Sequence, residues 1–237
     1  MLFLHFVIVS WKHCEDIASF RRWASHINNN NLIFLDETNL KLNAAPSSTL
    51  VAPGEQAFVV VEEDSSYASR YDMIAVCSGN EVLPPIVFTP EDRKQLNVKG
   101  VNTEMLINYI ESLLTRALSG LDRYPLYLIM DNSNIHNEDK IMEELHENGC
   151  EEVKEVRFMP ASSAKRLSPL DNTIFAIWKQ RCKNRGLITK SNIVNVMCDE
   201  WNKIDRQLLS ACYRHCSLTY GQDVYKDCPN PHWHQHE

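Results

Sequence analysis

Three aspartates stand where carboxylates could share a cation. Asp36 closes the apolar run NLIFLD, and Asp131 closes LYLIMD. If each run is a strand of an open α/β sheet, both carboxylates sit at strand carboxyl ends, where such sheets bind ligands. If the two strands are neighbours, the acids face one site. Two carboxylates that close repel each other, and the usual compensation is a divalent cation bound through oxygen. A third acid would complete the set, and Asp171 in RLSPLDNTIF is the candidate, because no other acidic residue lies between Glu155 and Asp199. Each residue taken singly has a plainer role. Asp131 with Asn132 suits a turn, and Asp171 ahead of NTIFAIWK suits a helix N-cap. The three together favour the shared site.

The elements that must position these acids follow from periodicity. NLIFLDE (31–37), AFVVVEE (57–63), YDMIAVCS (71–78) and VLPPIVF (82–88) are β-rich runs, a meander broken by Gly, Asp, Ser and Asn. NTEMLINYIESLLTRALS (102–119) puts most of its apolar residues on one helical face, with Asn102 or Thr103 as cap. The strand LYLIMD follows, then a helix over about 138–148 stopped by Gly149, a strand at 153–159, and helices at about 170–185, 190–203 and 205–217. This order suits a mixed α/β sheet with helices packed on both faces. The tail PNPHWHQHE reads as unstructured.

Composition narrows the function. The chain of 237 residues is 44% hydrophobic and 23% charged, as expected of a globular domain. A net charge of −7 argues against broad capture of nucleic acid, so any DNA contact must be local. Eight scattered cysteines without a CxxC pair read as reduced thiols rather than a disulfide framework. Cys212, Cys216, Cys228 and the HWHQH tail offer soft ligands, but not at a standard zinc spacing. The apolar opening MLFLHFVIVSW is too short to span a bilayer, so no membrane partner is expected. The phosphate loop, nucleophile elbow and dinucleotide fingerprint are all missing, which excludes nucleotide hydrolases, esterases and dinucleotide enzymes.

The blocks FLDET, APSSTLVAPGEQ, CSGNEVLPPIVF, LIMDNSNIH and FMPASSAKRLSPLDNTIFAIWK, in that order, resemble the catalytic domain of the mariner and pogo group of DDE/DDD transposases, over about residues 20–215. The resemblance implies a ribonuclease-H-like fold, here a mixed five-stranded sheet. It also implies two Mg²⁺ or Mn²⁺ ions, and Asp36, Asp131 and Asp171 as catalytic and metal-binding residues. The 39 residues between Asp131 and Asp171 exceed the usual mariner spacing. SPLDNTIF also departs from the mariner-like string SPDLNPIE, putting Phe175 where its glutamate falls. The Pro-Leu-Asp arrangement instead resembles the pogo branch, in which that aspartate is the ligand.

Around this triad, Glu37, Asn132, His136 and Asn172 are supporting candidates. Strand alternation turns Glu37 away from Asp36. His136 suits a DNA contact, a contact to a carboxylate behind the metal ligands or a helix-start role, and Asn172 suits a cap. Lys179, Arg181, Lys183 and Arg185 in WKQRCKNR form a basic cluster suited to DNA phosphates or to a solvated helix face. The expected organisation is a helical lead-in at 1–30, the catalytic domain at 31–217 and a disordered tail at 218–237. The resemblance further implies transposon ends and target DNA as partners, and a homodimer of the full-length protein. Localisation would be nuclear in a eukaryote and cytoplasmic otherwise. Residues 1–30 are too few for a pair of helix-turn-helix readers. Two functions therefore stand: a metal-dependent DNA endonuclease and strand transferase lacking its reader, or a catalytically silent, host-adopted DNA- or protein-binding remnant.

Overall fold

A computed structural model of the chain describes residues 10–46, 51–62, 67–116, 125–132 and 138–228. Its centre is a five-stranded sheet in the order β3-β2-β1-β4-β5, formed by β1 (Leu32–Lys41), β2 (Arg70–Cys77), β3 (Val82–Phe88), β4 (Leu126–Met130) and β5 (Val153–Phe158). The first three strands are antiparallel neighbours, whereas β4 runs parallel to both β1 and β5. Of the adjacent Pro84 and Pro85 in β3, one can turn its missing donor to the open edge, and the other is tolerated because the β2–β3 register is irregular between Leu83 and Ile86. The mixed sheet expected from the sequence is the one observed.

Alternation along the central strands divides the core into two layers. Ile33 and Leu35 of β1, with Leu128 and Met130 of β4, face α3 (Thr103–Arg116) and α4 (Glu138–Glu147), whose Leu106, Ile110, Ile141 and Leu145 are buried there. Leu32, Phe34 and Ile129 face the other way. On that side lie α1 (Trp11–Ser25), α5 (Ala164–Leu167), a five-residue π-helical turn (Leu170–Ile174), α6 (Phe175–Lys183), α7 (Ile193–Asn202) and α8 (Arg206–His215). Buried polar tips of this layer are satisfied by backbone. Trp178 Nε1 donates to Met197 O (3.0 Å), Trp201 Nε1 to Leu83 O (2.9 Å), and Tyr213 Oη lies 2.9 Å from Leu32 O. The short α2 (Pro90–Gln95) is held by a capping box between Thr89 and Asp92.

Two expectations need correction. The run AFVVVEE is not a strand over its described residues, 57–62. These have no regular structure, and Phe58 is 80% exposed. An apolar run becomes a strand only beside a partner edge, and β2 already pairs with β1 from Arg70 onward. Phe58→Ser is therefore expected to move the unfolding free energy by no more than about 0.5 kcal/mol, checked by urea titration. Nor is 218–228 a disordered tail. It follows α8 as an ordered strap along α1, where Tyr225 stacks on Trp11 at a ring distance of 6.0 Å and its hydroxyl donates to Glu15 Oε1 (3.0 Å). Arg21, fully buried, donates to Cys216 O (3.0 Å), Val224 O (3.1 Å) and Lys226 O (2.7 Å). The buried guanidinium needs those carbonyls, and they need its donors. Helix α1 belongs to the same core, burying Ile17, Phe20 and Ala24 with the strands. Residues 1–9 and 229–237 lie outside the described residues.

Candidate active site

The parallel register of β1 and β4 pairs Leu32 with Tyr127, Ile33 with Leu128 and Phe34 with Ile129, a constant offset of 95. Carried two residues further, the same offset sets Asp36 level with Asp131, each just beyond the paired segment. Side-chain parity completes the match. Asp36 shares the face of Phe34, and Asp131 shares that of Ile129, both residues of the layer holding the π-helical turn. Leu170 and Ile174 anchor that turn in the core and leave Asp171 at its solvent side. The three aspartates thus come from three elements to the point where the β1–β4 pairing stops; Asp36 does not end its strand as expected, since β1 continues to Lys41 against β2.

Their electrostatics reflect this convergence. Asp36 is partly buried, and its carboxyl is pushed up to about 8, first by desolvation, then by the charges of Asp171 and Glu37, with a smaller push from Asp131. Asp171 is exposed and hydrogen-bonded to Asp36. Its carboxyl is also raised, by desolvation and by Asp131, against the lowering effects of that hydrogen bond and of Lys179 and Lys165. Backbone donors fix Asp36 and Asp131. Glu37 N–H donates to Asp36 Oδ1 (2.7 Å), and Asn132 N–H to Asp131 Oδ1 (2.8 Å). Among the described residues, no three His, Cys, Asp or Glu side chains stand close enough to enclose an ion as they are. The donor set suits a hard cation all the same: three carboxylates give only oxygen ligands, and their mutual repulsion is what a divalent charge would relieve.

The supporting candidates separate. Asn172 braces the turn, donating from Nδ2 to Lys165 O (2.5 Å) and accepting from Thr173 Oγ1 at Oδ1 (2.7 Å). Glu37 lies by alternation on the opposite face of β1 from Asp36. Asn132 is exposed and borders an open cleft of about 610 Å³ on the β5 side, with Asp16, Glu138 and Arg157 on its walls. His136 lies outside the described residues. The basic cluster divides as well: Arg181 donates to Lys203 O (3.1 Å), and Arg185 pairs with Asp199 (3.4 Å) and Glu200 (3.3 Å), whereas Lys179 feels both Asp36 and Asp171. Sequence reading missed Lys165, whose charge also reaches Asp171. Its signal was a basic pair three residues before SPLD. Cys212 and Cys216 are buried in the core, away from any metal-binding group among the described residues.

Comparisons with known proteins agree with this architecture. A family model described as DDE superfamily endonuclease matches residues 31–194. Among solved structures, the chain is similar to the mariner Mos1 paired end complex with Mg, with a TM-score of 0.68 at 12% identity over 96% of this chain and 65% of that chain. It is similar to the pre-cleavage Mos1 transpososome, with a TM-score of 0.66 at 12% identity over the same shares, 96% and 65%. The catalytic domain of Mos1 mariner transposase gives a TM-score of 0.62 at 10% identity, covering 95% of this chain and 96% of that one. At these identities the likeness is one of fold. The chain spans about 65% of the transposase chain in the two complexes. A search of curated proteins returns no match.

Proposed function

The chain belongs to the DDE superfamily endonuclease family, and from that premise we propose that it cleaves and joins DNA strands by divalent-metal-dependent phosphoryl transfer. The observation that carries the reading is the convergence of Asp36, Asp131 and Asp171 where the β1–β4 pairing stops, with Asp36 raised to about 8 by desolvation and by its acidic neighbours. A carboxylate held at that cost to its ionised form suits a ligand waiting for a cation. The similar Mos1 structures include complexes with Mn and with Mg, which supports the same ions here.

In this reading Asp36, Asp131 and Asp171 hold Mg²⁺ or Mn²⁺. The chemistry that a bound pair of such ions supplies is activation of a water or 3′-hydroxyl and stabilisation of the leaving 3′-oxygen. The chain itself contributes rigidity. Asp36 lies within β1, just past its pairing with β4 and held by the ladder to β2, Asp131 follows the last residue of β4, and Asp171 sits on a turn pinned by Leu170, Ile174 and Asn172. Such fixed ligands need little rearrangement as charge develops on the phosphoryl group. The partner is DNA, transposon ends and target, and pairing of ends by a homodimer is proposed for the full-length protein, in line with the paired-end complexes of the similar transposase.

The test is conversion of supercoiled plasmid to nicked circles. The purified chain is expected to nick slowly in Mn²⁺ or Mg²⁺, with little selectivity for particular ends, and to stop on chelation. Intact plasmid under conditions where the protein demonstrably binds DNA and metal would remove the active-enzyme reading and leave the DNA-binding remnant. Metal affinity carries its own signature. Because the ion must displace the proton from Asp36, affinity should climb about tenfold per pH unit up to about pH 8 and then level off, as calorimetry with Mn²⁺ would show. A flat profile from pH 6 to pH 8 would sink Asp36 as a ligand.

A further inference from the structure

The cations around Asp171 fall into two groups by what already occupies them. Arg181 spends its guanidinium on Lys203 O, and Arg185 on Asp199 and Glu200, so both arginines tie α6 to α7. Lys203 also pairs with Glu200 (2.6 Å), closing that network. Among the described residues, Lys165, Lys179 and Lys183 have no such ion-pair partner. These three form a series leading away from Asp171. Lys179 and Lys183 stand one turn apart on α6 and repel each other, and the fields of Lys179 and Lys165 both fall on Asp171. The hydrogen bond from Asn172 to Lys165 O fixes α5 against the turn that carries Asp171.

We infer that Lys165, Lys179 and Lys183 form a cationic strip that holds the phosphodiester backbone of DNA beside the three aspartates, and that Arg181 and Arg185 take no part in it. The inference deepens the proposed function and rests on it for the site, but its chemistry stands apart. While the site is empty of cations, its ionised acids offset Lys165 and Lys179, whose fields reach Asp171, and Lys183 extends the strip one turn further along α6. Once divalent cations neutralise the acids, the lysines face solvent uncompensated, and a polyanion is the partner that restores the balance. Ammonium groups on flexible stems suit phosphate contact without base readout, so the strip positions any sequence equally. A chain of net charge −7 needs such a local concentration of cations to hold DNA at all.

The test measures fluorescence anisotropy of a labelled 30-base-pair duplex of arbitrary sequence against NaCl, with Ca²⁺ present. Changing Lys165, Lys179 and Lys183 together to Gln is expected to flatten the slope of log affinity against log salt by about 2 to 3, and to weaken binding at least about tenfold at 0.1 M salt. Lys165→Gln alone, at an exposed position, should flatten it by about 1. Arg181→Gln and Arg185→Gln should leave the slope unchanged while lowering the melting temperature. An unchanged slope in the folded triple variant, or equal flattening by the two arginine variants, would overturn the strip. The function and the strip fail separately: nicking with an unchanged slope removes only the strip, whereas a flattened slope in a chain that never nicks removes only the enzyme reading.

Discussion

Asp36→Asn is expected to reduce metal-dependent plasmid nicking by at least about 10³-fold, and in the same protein to raise stability without metal at pH 8.5. The first effect follows from losing one of three oxygen ligands and several kcal/mol of charge stabilisation with it. The second follows from the sign of the shift. The folded state keeps the Asp36 proton up to about pH 8, against an ordinary value of 3.8, so protons favour the fold. That contribution is fully present below about pH 4 and is lost as pH rises to about 8, at a rate of up to about 1.4 kcal/mol per pH unit. Asparagine has no proton to lose. Allowing for screening of the exposed partners Asp131 and Asp171, the variant should gain on the order of 2 kcal/mol over the parent at pH 8.5 in chelator. Saturating Mn²⁺ should reverse the order, since a cation at 100 times its dissociation constant stabilises the parent by about 2.7 kcal/mol. Urea melts at pH 6 and 8.5, with and without Mn²⁺, test the crossing. A variant that nicks at the parent rate, or gains nothing at pH 8.5, would show that Asp36 is neither ligand nor strained acid.

The second large effect lies away from the acids. Arg21→Met should cost about 3–5 kcal/mol, because it removes a fully buried guanidinium and strands the carbonyls of Cys216, Val224 and Lys226 without donors. Arg21→Lys should recover only part of the loss, since one ammonium cannot reproduce the planar fork that reaches both α8 and the strap. Denaturant titration gives the magnitude. Limited proteolysis gives the location, with cleavage near Tyr225 appearing in the variant before the rest of the fold opens. If Arg21→Met melts like the parent, the strap owes its order to the Trp11 and Glu15 contacts of Tyr225 instead.

The acids were legible in the sequence because they end apolar runs, and Asp131 does follow the last residue of β4, whereas Asp36 does not end its strand: β1 runs on to Lys41 because β2 pairs with residues 36–41 after β4 has stopped. The offset that brings Asp36 level with Asp131 was not legible, since register is set by pairing between residues about 95 apart. The run 57–63 misled for the same reason: β propensity describes fitness for a pleated surface, and no sheet edge accepts its described residues, 57–62. WKQRCKNR shows four cations in seven residues but not their allegiance. Only the fold shows that Asp199 and Glu200 claim Arg185 while Lys179 turns to the acids. Arg21 gave no local signal at all, because its partners lie about 200 positions along the chain.

The antiparallel seating of the strap on α1 brings the two described ends of the chain together, with Tyr225 against Trp11 and Cys228 against Cys14. A fold whose first and last described segments meet can be rewired. A short peptide bridge from residue 228 back to α1, with new termini opened in the exposed stretch 51–62, would give a circular permutant that leaves β1, β4 and the π-helical turn untouched. Domains fused at residue 10 and at residue 228 would emerge from the same corner of the molecule.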